Sequence, residues 1–174
     1  KSTDKFVSMS MVNNGASPFS ITYLHGQNAR SMCSNNNGKF FALVPHSSNT
    51  NLTQVHVSTD AGESFSSAGT PDPTGSSLYF ITYQNNKLFV GRNSSKLYSS
   101  TDDGVTWTDH SETMGTGKNL YDVQWDSVNN VYLLQGNNAI WTSADLSTWT
   151  EHTPDVGGDT LSIRNFLTSG GNCL

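Results

Sequence analysis

The amino-acid sequence predicts an all-β chain built from a repeated four-stranded antiparallel unit, on three observations. Charged residues make up 13% of the 174 positions and hydrophobic ones 34%, a mixture suited to short strands joined by many polar turns. Apolar and polar side chains alternate over short runs such as residues 6–12, as in a strand with one buried face. The stretch Ser100-Thr101-Asp102-Asp103-Gly104-Val105-Thr106-Trp107 occurs once intact and twice in altered form, as Ser58-Thr59-Asp60-Ala61-Gly62-Glu63-Ser64-Phe65 and as Thr142-Ser143-Ala144-Asp145-Leu146-Ser147-Thr148-Trp149. The third copy is one residue shorter and has lost the Gly. The closing aromatics Phe65, Trp107 and Trp149 are 42 residues apart, and a fixed period of roughly 20–50 residues marks a solenoid, propeller or array.

Residues 1–28 are the least regular, with strands expected at 6–12 and 19–24 around a turn at 13–18. Ser2-Thr3-Asp4 resembles a remnant of a further turn, without the Gly and Trp offsets. From residue 29 the blocks stack. First strand, turn and second strand fall at 29–33, 34–38 and 39–44, again at 78–83, 84–86 and 87–91, and again at 120–125, 126–129 and 130–135. The turns are built from Asn, Gly, Ser or Asp, which tolerate positive φ or bond their own backbone. Polar links at 45–51, 92–95 and 136–138 lead to third strands at 54–57, 96–99 and 139–141. Each third strand runs into a Ser-x-Asp turn, and the aromatic closing that turn opens a fourth strand.

The expected organisation is a single domain over residues 1–174, with repeats at approximately 29–70, 78–112 and 120–153 and a partial one at 160–174. In the partial repeat a strand at 161–167, a turn at 168–171 and a second strand at 172–174 are expected. Four antiparallel strands in about 42 residues, repeated radially, is the blade of a β-propeller, and a linear stack of sheets is the alternative. Either the strands at 6–12 and 19–24 complete the last unit and close a ring of four, or the chain is part of a larger ring, the reading the size range of propellers favours.

The formal net charge is −5, and six Lys and three Arg are scattered singly, unlike the clustered basic surface that nucleic acid requires. No apolar run approaches the roughly 18 residues of a membrane span, and no nucleic-acid partner or membrane insertion is expected. Cys33 and Cys173 form either one disulfide or two separate buried thiols. No Cys/His cluster has zinc spacing, so no metal and no cofactor is expected. Sequons at Asn51 and Asn93 are at the level chance supplies in a chain this rich in Asn, Ser and Thr. Residue 1 is Lys and no signal peptide is present, so a processed product or a piece of a longer chain is expected.

The pattern Ser-x-Asp-x-Gly-x-Thr-Trp at 100–107, with its two variants, resembles the Asp-box repeat of sialidase-type propellers, related glycoside hydrolases, sorting-receptor ectodomains and phage tail proteins. The resemblance implies a turn between the third and fourth strands of each blade, on the face opposite any active site. The residue types fit that role. Asp60, Asp102 and Asp145 accept backbone N–H groups across the turn, Ser58, Ser100 and Ser143 add hydroxyls, and Gly62 and Gly104 supply φ values that a side chain penalises. Phe65, Trp107 and Trp149 are expected to pack between neighbouring sheets. Asp103, beside Asp102, suggests a carboxylate pair but reads better as an exposed turn residue.

Sialidases of that family use three arginines, a Tyr nucleophile with a Glu partner, and an Asp acid. This chain has three arginines, Arg30, Arg92 and Arg164, but none lies in the family's Phe/Tyr-Arg-Ile-Pro motif. Glu63 falls within a turn. No Ser nucleophile elbow, phosphate loop or His-Glu metal motif occurs, so a non-enzyme is expected and no catalytic residue is assigned. His56 lies in a strand, as a packed residue. The candidates for binding are His46, Arg92, His110, Glu112, His152 and Asp155, with the loop at 70–73, all in links expected opposite the turns. The leading expectation is a non-catalytic binding or structural module of an extracellular or virion-surface protein, such as a phage tail, fibre or decoration component, contacting other subunits or a surface glycan. The alternatives are an incomplete catalytic domain of a secreted sialidase-like glycoside hydrolase and an assembly-factor propeller.

Overall fold

Short apolar runs broken by Asn-rich turns leave the chain little choice but antiparallel hairpins, because two-residue loops with positive φ match the twist of the paired strands. Asn85 and Asn86 illustrate this, at φ 46° and 58°. They join β5 (Phe80–Gln84) to β6 (Lys87–Arg92), with Gln84 opposite Lys87. The computed structural model describes residues 31–45, 52–72, 78–92, 94–111, 117–137 and 139–153, and the backbone at 168–169 and 172–173.

Three four-stranded sheets follow one another. The first is β1 (Ser31–Ser34), β2 (Phe40–Pro45), β3 (Thr53–Ser58) and β4 (Ser66–Gly69). The second is β5, β6, β7 (Lys96–Ser100) and β8 (Thr108–Asp109). The third is β9 (Leu120–Asp126), β10 (Val131–Gly136), β11 (Ala139–Ser143) and β12 (Thr150–His152). Within each sheet every strand pairs antiparallel with its sequence neighbour. A two-stranded piece follows, β13 (Thr168–Ser169) with β14 (Asn172–Cys173). Thr168 and Ser169 are therefore paired strand residues rather than part of the turn expected at 168–171. The strands expected within 1–30 and 161–167 lie outside the described residues.

The first strands sit side by side across the sheets: β5 lies against both β1 and β9, and β13 lies against β9. The sheets thus radiate from a shared line of inner strands, as blades do, and a linear stack is not the arrangement.

The core lies in the seams between sheets. Period-two alternation sends Phe41 and Leu43 of the first sheet toward Leu88, Val90 and Tyr98 of the second, with Trp107 packed on that cluster. The opposite faces of the second sheet, Phe89 and Leu97, meet Tyr132, Leu134, Trp141 and Leu146 of the third, with Trp125 and Trp149 against them. Phe89 meets Tyr132 edge-on at 5.4 Å, and Phe41 stacks on Tyr83 at 6.0 Å. Gly91 is required by close approach, since a Cβ there would stand 2.3 Å from the Phe80 ring.

Candidate functional site

Each Ser-x-Asp turn joins the third and fourth strands of its sheet, so all three are at the same end of the blades. In the second turn the Ser100 hydroxyl donates to Asp102 Oδ1 at 2.7 Å and accepts the Gly104 N–H at 2.8 Å. Asp102 also accepts the Thr106 N–H at 2.9 Å and the Thr106 hydroxyl at 2.6 Å. The first turn repeats this with Ser58, Asp60, Gly62 and Ser64. In the third, the Asp145 carboxylate takes the N–H groups of Ser147 and Thr148, each at 2.9 Å, and Ser143 takes that of Leu146 at 2.8 Å. These donors hold the three carboxyls below the usual range. Asp60 is drawn to about 2 chiefly by the Ser64 hydroxyl and Asp102 to about 2 chiefly by the Thr106 hydroxyl. Asp145 is lowered chiefly by the Thr148 N–H. Groups so engaged hold a turn shut.

The second and third copies differ at the closing indole. The Trp107 indole N–H donates to the Gly104 carbonyl at 2.8 Å. In the shortened third turn Leu146 takes the glycine's place at φ 66°, its carbonyl accepts from His110 of the preceding sheet, and the Trp149 indole N–H is buried without a partner. Asp103 pairs with Lys39 of the first sheet at 2.5 Å, so it clamps two sheets together.

At the other end of the blades, Arg92 closes β6 and its guanidinium reaches Asp72 at 3.1 Å, with both side chains largely buried. Tyr98 hydrogen-bonds Asp72, and burial first, then the Asp72 and Asp109 charges, raises its phenol above the ordinary range. Lys96 pairs with Asp109 at 3.4 Å and Lys118 with Glu151 at 3.1 Å. Ser111 caps Asp109, its N–H at 2.8 Å. His110 continues the ladder beyond β8, donating its N–H to the Leu97 carbonyl at 2.8 Å, and its ring meets the Ser99 hydroxyl at 2.7 Å. His152 occupies the corresponding place in the third sheet, 2.9 Å from the Thr142 hydroxyl, and is exposed. His46, Glu112 and Asp155 lie outside the described residues. His56 is half-buried, which lowers its pKa.

A third group, on the inner strands, escaped sequence reasoning. Gln84 donates to Gln124 at 3.2 Å, and Gln124 donates to Asp122 at 2.6 Å. Burial raises the Asp122 carboxyl. Cys33 on β1 is a free thiol pushed up to about 12 by burial and then by the Asp122 charge. Alternate positions of the first strands, 82, 84, 122 and 124, are all polar, which was the available signal. Among the described residues no three metal-ligating side chains converge.

Radial four-stranded meanders with their first strands clustered and their turns at one end define a β-propeller. The chain belongs to the DUF6242 beta propeller domain family, whose model matches residues 22–156. Among solved structures it is similar to YCF48 bound to D1 peptide, at 15% identity and a TM-score of 0.57, over 71% of this chain and 39% of that one. It is also similar to a protein from Lactobacillus plantarum, at 10% identity and a TM-score of 0.55, over 82% and 46% of the two chains. Sqt1 of Saccharomyces cerevisiae matches at 12% identity and a TM-score of 0.52, over 80% and 38%. The chain spans less than half of each of these structures. No curated protein matches it in sequence.

Proposed function

We propose that this chain is part of a non-catalytic propeller that binds another protein through the blade ends opposite the Ser-x-Asp turns. The observation that carries the reading is the pairing of charges there: Arg92 with Asp72, Lys96 with Asp109 and Lys118 with Glu151. Acids and bases tied to each other are occupied in holding the strand ends together, and loops carried on such ends are where binding residues concentrate. YCF48 bound to D1 peptide is a precedent for this fold holding a polypeptide. The turns' resemblance to the Asp-box repeat brings with it an extracellular or virion-surface setting, such as a phage tail, fibre or decoration component, with another subunit or a surface glycan as the contact.

Site-specific photo-crosslinking in the native source tests the reading. A photoreactive side chain at Ser94 or Gly117 is expected to capture one defined polypeptide, and the same group at Ala61 or Asp103 is not. Capture only from the turn end, or release of product from glycoside substrates by the purified chain, overturns it.

A further inference from the structure

The turn between β1 and β2 carries Asn35, Asn36 and Asn37 in succession, followed by Gly38. Their carboxamides are used differently. The Asn35 side-chain oxygen accepts the Asn37 N–H at 2.9 Å and the Lys39 N–H at 3.1 Å, and the Asn36 oxygen accepts the Ser34 hydroxyl at 3.3 Å. Among the described residues, nothing holds the Asn37 carboxamide or the Gly38 N–H. Asn37 and Gly38 are both exposed. The turn needs glycine at position 38, where φ is 83°, and a Cβ built there would meet nothing within 4 Å. We propose that Asn37–Gly38 is a site of spontaneous covalent modification, at which Asn37 loses its amide as ammonia and the main chain is in part rerouted through an isoaspartyl linkage.

The Gly38 nitrogen, its proton taken by solvent base, attacks Cγ of Asn37. A bond forms between the two atoms, the Cγ–Nδ2 bond breaks, and ammonia leaves with a proton returned from solvent, closing a cyclic imide. Water then opens the imide. Attack at Cγ gives an ordinary backbone with Asp at 37, and attack at the α-carbonyl leaves Gly38 joined to Cγ, the isoaspartyl form. Asparagine is among the thermally labile side chains, and a following glycine removes the Cβ that would crowd the attacking nitrogen. No other described asparagine precedes a glycine. Asn85 and Asn129 also have their carboxamides held, by Tyr132 and Asp126.

The isoaspartyl form reaches the seam between the first two sheets. It places one more main-chain carbon between the Asn37 and Lys39 N–H groups, which the single Asn35 oxygen holds together. That oxygen cannot keep both. The Asn35 N–H donates in turn to the Lys39 carbonyl at 3.2 Å, so Lys39 loses its setting. Its ammonium is the group that pairs with Asp103 in the turn of the second sheet. The new carboxylate at 37 competes for the same ammonium. Ageing of one peptide bond therefore loosens a tie between two sheets.

The whole chain is aged at mildly alkaline and at mildly acidic pH, then exposed briefly to a water-soluble acetylating ester while still folded. Peptides containing both Asn37 and Lys39 are read by electron-transfer mass spectrometry, which separates Asp from isoaspartate. The expected result is loss of the Asn37 amide, faster at alkaline pH and with isoaspartate among the products, while Asn86 and Asn130 keep theirs. An Asn37 that keeps its amide in the folded chain at alkaline pH, or reacts only in urea, overturns the site. Lys39 should be acetylated to a greater extent on peptides carrying isoaspartate than on those retaining Asn37. Equal acetylation of the two overturns the link to Asp103.

Discussion

The indole N–H of Trp107 donates to the carbonyl oxygen of Gly104 at 2.8 Å, so the aromatic that closes the turn also binds it. Trp149 packs likewise but its N–H has no partner. Trp107→Phe should cost about 1 kcal/mol more than Trp149→Phe, the net worth of one hydrogen bond. Trp107→Ala should cost about 3–5 kcal/mol through lost packing. Urea denaturation of the three variants checks both statements, and equal costs for the two Phe variants would remove the role assigned to the bond.

Gly62 and Gly104 have nearly the same backbone, φ 92° and 90°, but different surroundings. A Cβ at Gly62 meets nothing within 4 Å, whereas at Gly104 it meets Trp107 and Val55 at 3.3 Å and Ala68 at 3.4 Å. Gly62→Ala should cost only the backbone penalty of about 1–2 kcal/mol, and Gly104→Ala should cost more because the seam with the first sheet must also give. Thermal melts of the pair measure the difference.

The buried pair of Arg92 and Asp72 should be sensitive to losing one member. Arg92→Met is expected to destabilise by about 3–5 kcal/mol, since it strands a buried carboxylate. Adding Asp72→Asn to it should recover part of that loss, and a double variant worse than the single would contradict the pairing.

Acid should act on the turns through Asp60 and Asp102. Their folded values of about 2 lie below the ordinary 3.8, so the stability they contribute is present above 3.8 and is lost as the pH falls through about 2. Asp102→Asn should flatten that part of the stability profile while leaving the region at higher pH unchanged in shape. Equilibrium unfolding at a series of pH values reads both windows.

How far the molecule was legible beforehand differs by feature. The interval between Phe65, Trp107 and Trp149 placed every third and fourth strand, because a turn that satisfies its own backbone with Ser and Asp needs those residues at fixed offsets. Strand ends came out within a few residues, the ladder extending by pairing where composition turned polar, as at Thr53 and Ser58. The pairing of Lys39 with Asp103 could not be read, since 64 positions separate partners that meet only after two sheets dock. The inner row of Gln84, Gln124 and Asp122 left a trace in the polar alternate positions of the first strands, but such side chains look like ordinary exposed strand positions until those strands are brought together. His110 was expected in a link opposite the turns, and its ring reaches a turn because a side chain can lean along the strand across the seam.

The shortened third turn has a consequence for how such a chain can be recombined. Where a turn supplies its own indole to its own carbonyl, the repeat is a self-sufficient cassette. Where the carbonyl depends on His110 of the repeat before it, the two must be inherited together. Splicing the third repeat behind the first would set Leu146 opposite Ala68, with no imidazole to meet it, so the natural unit of exchange here is a pair of repeats and not a single one.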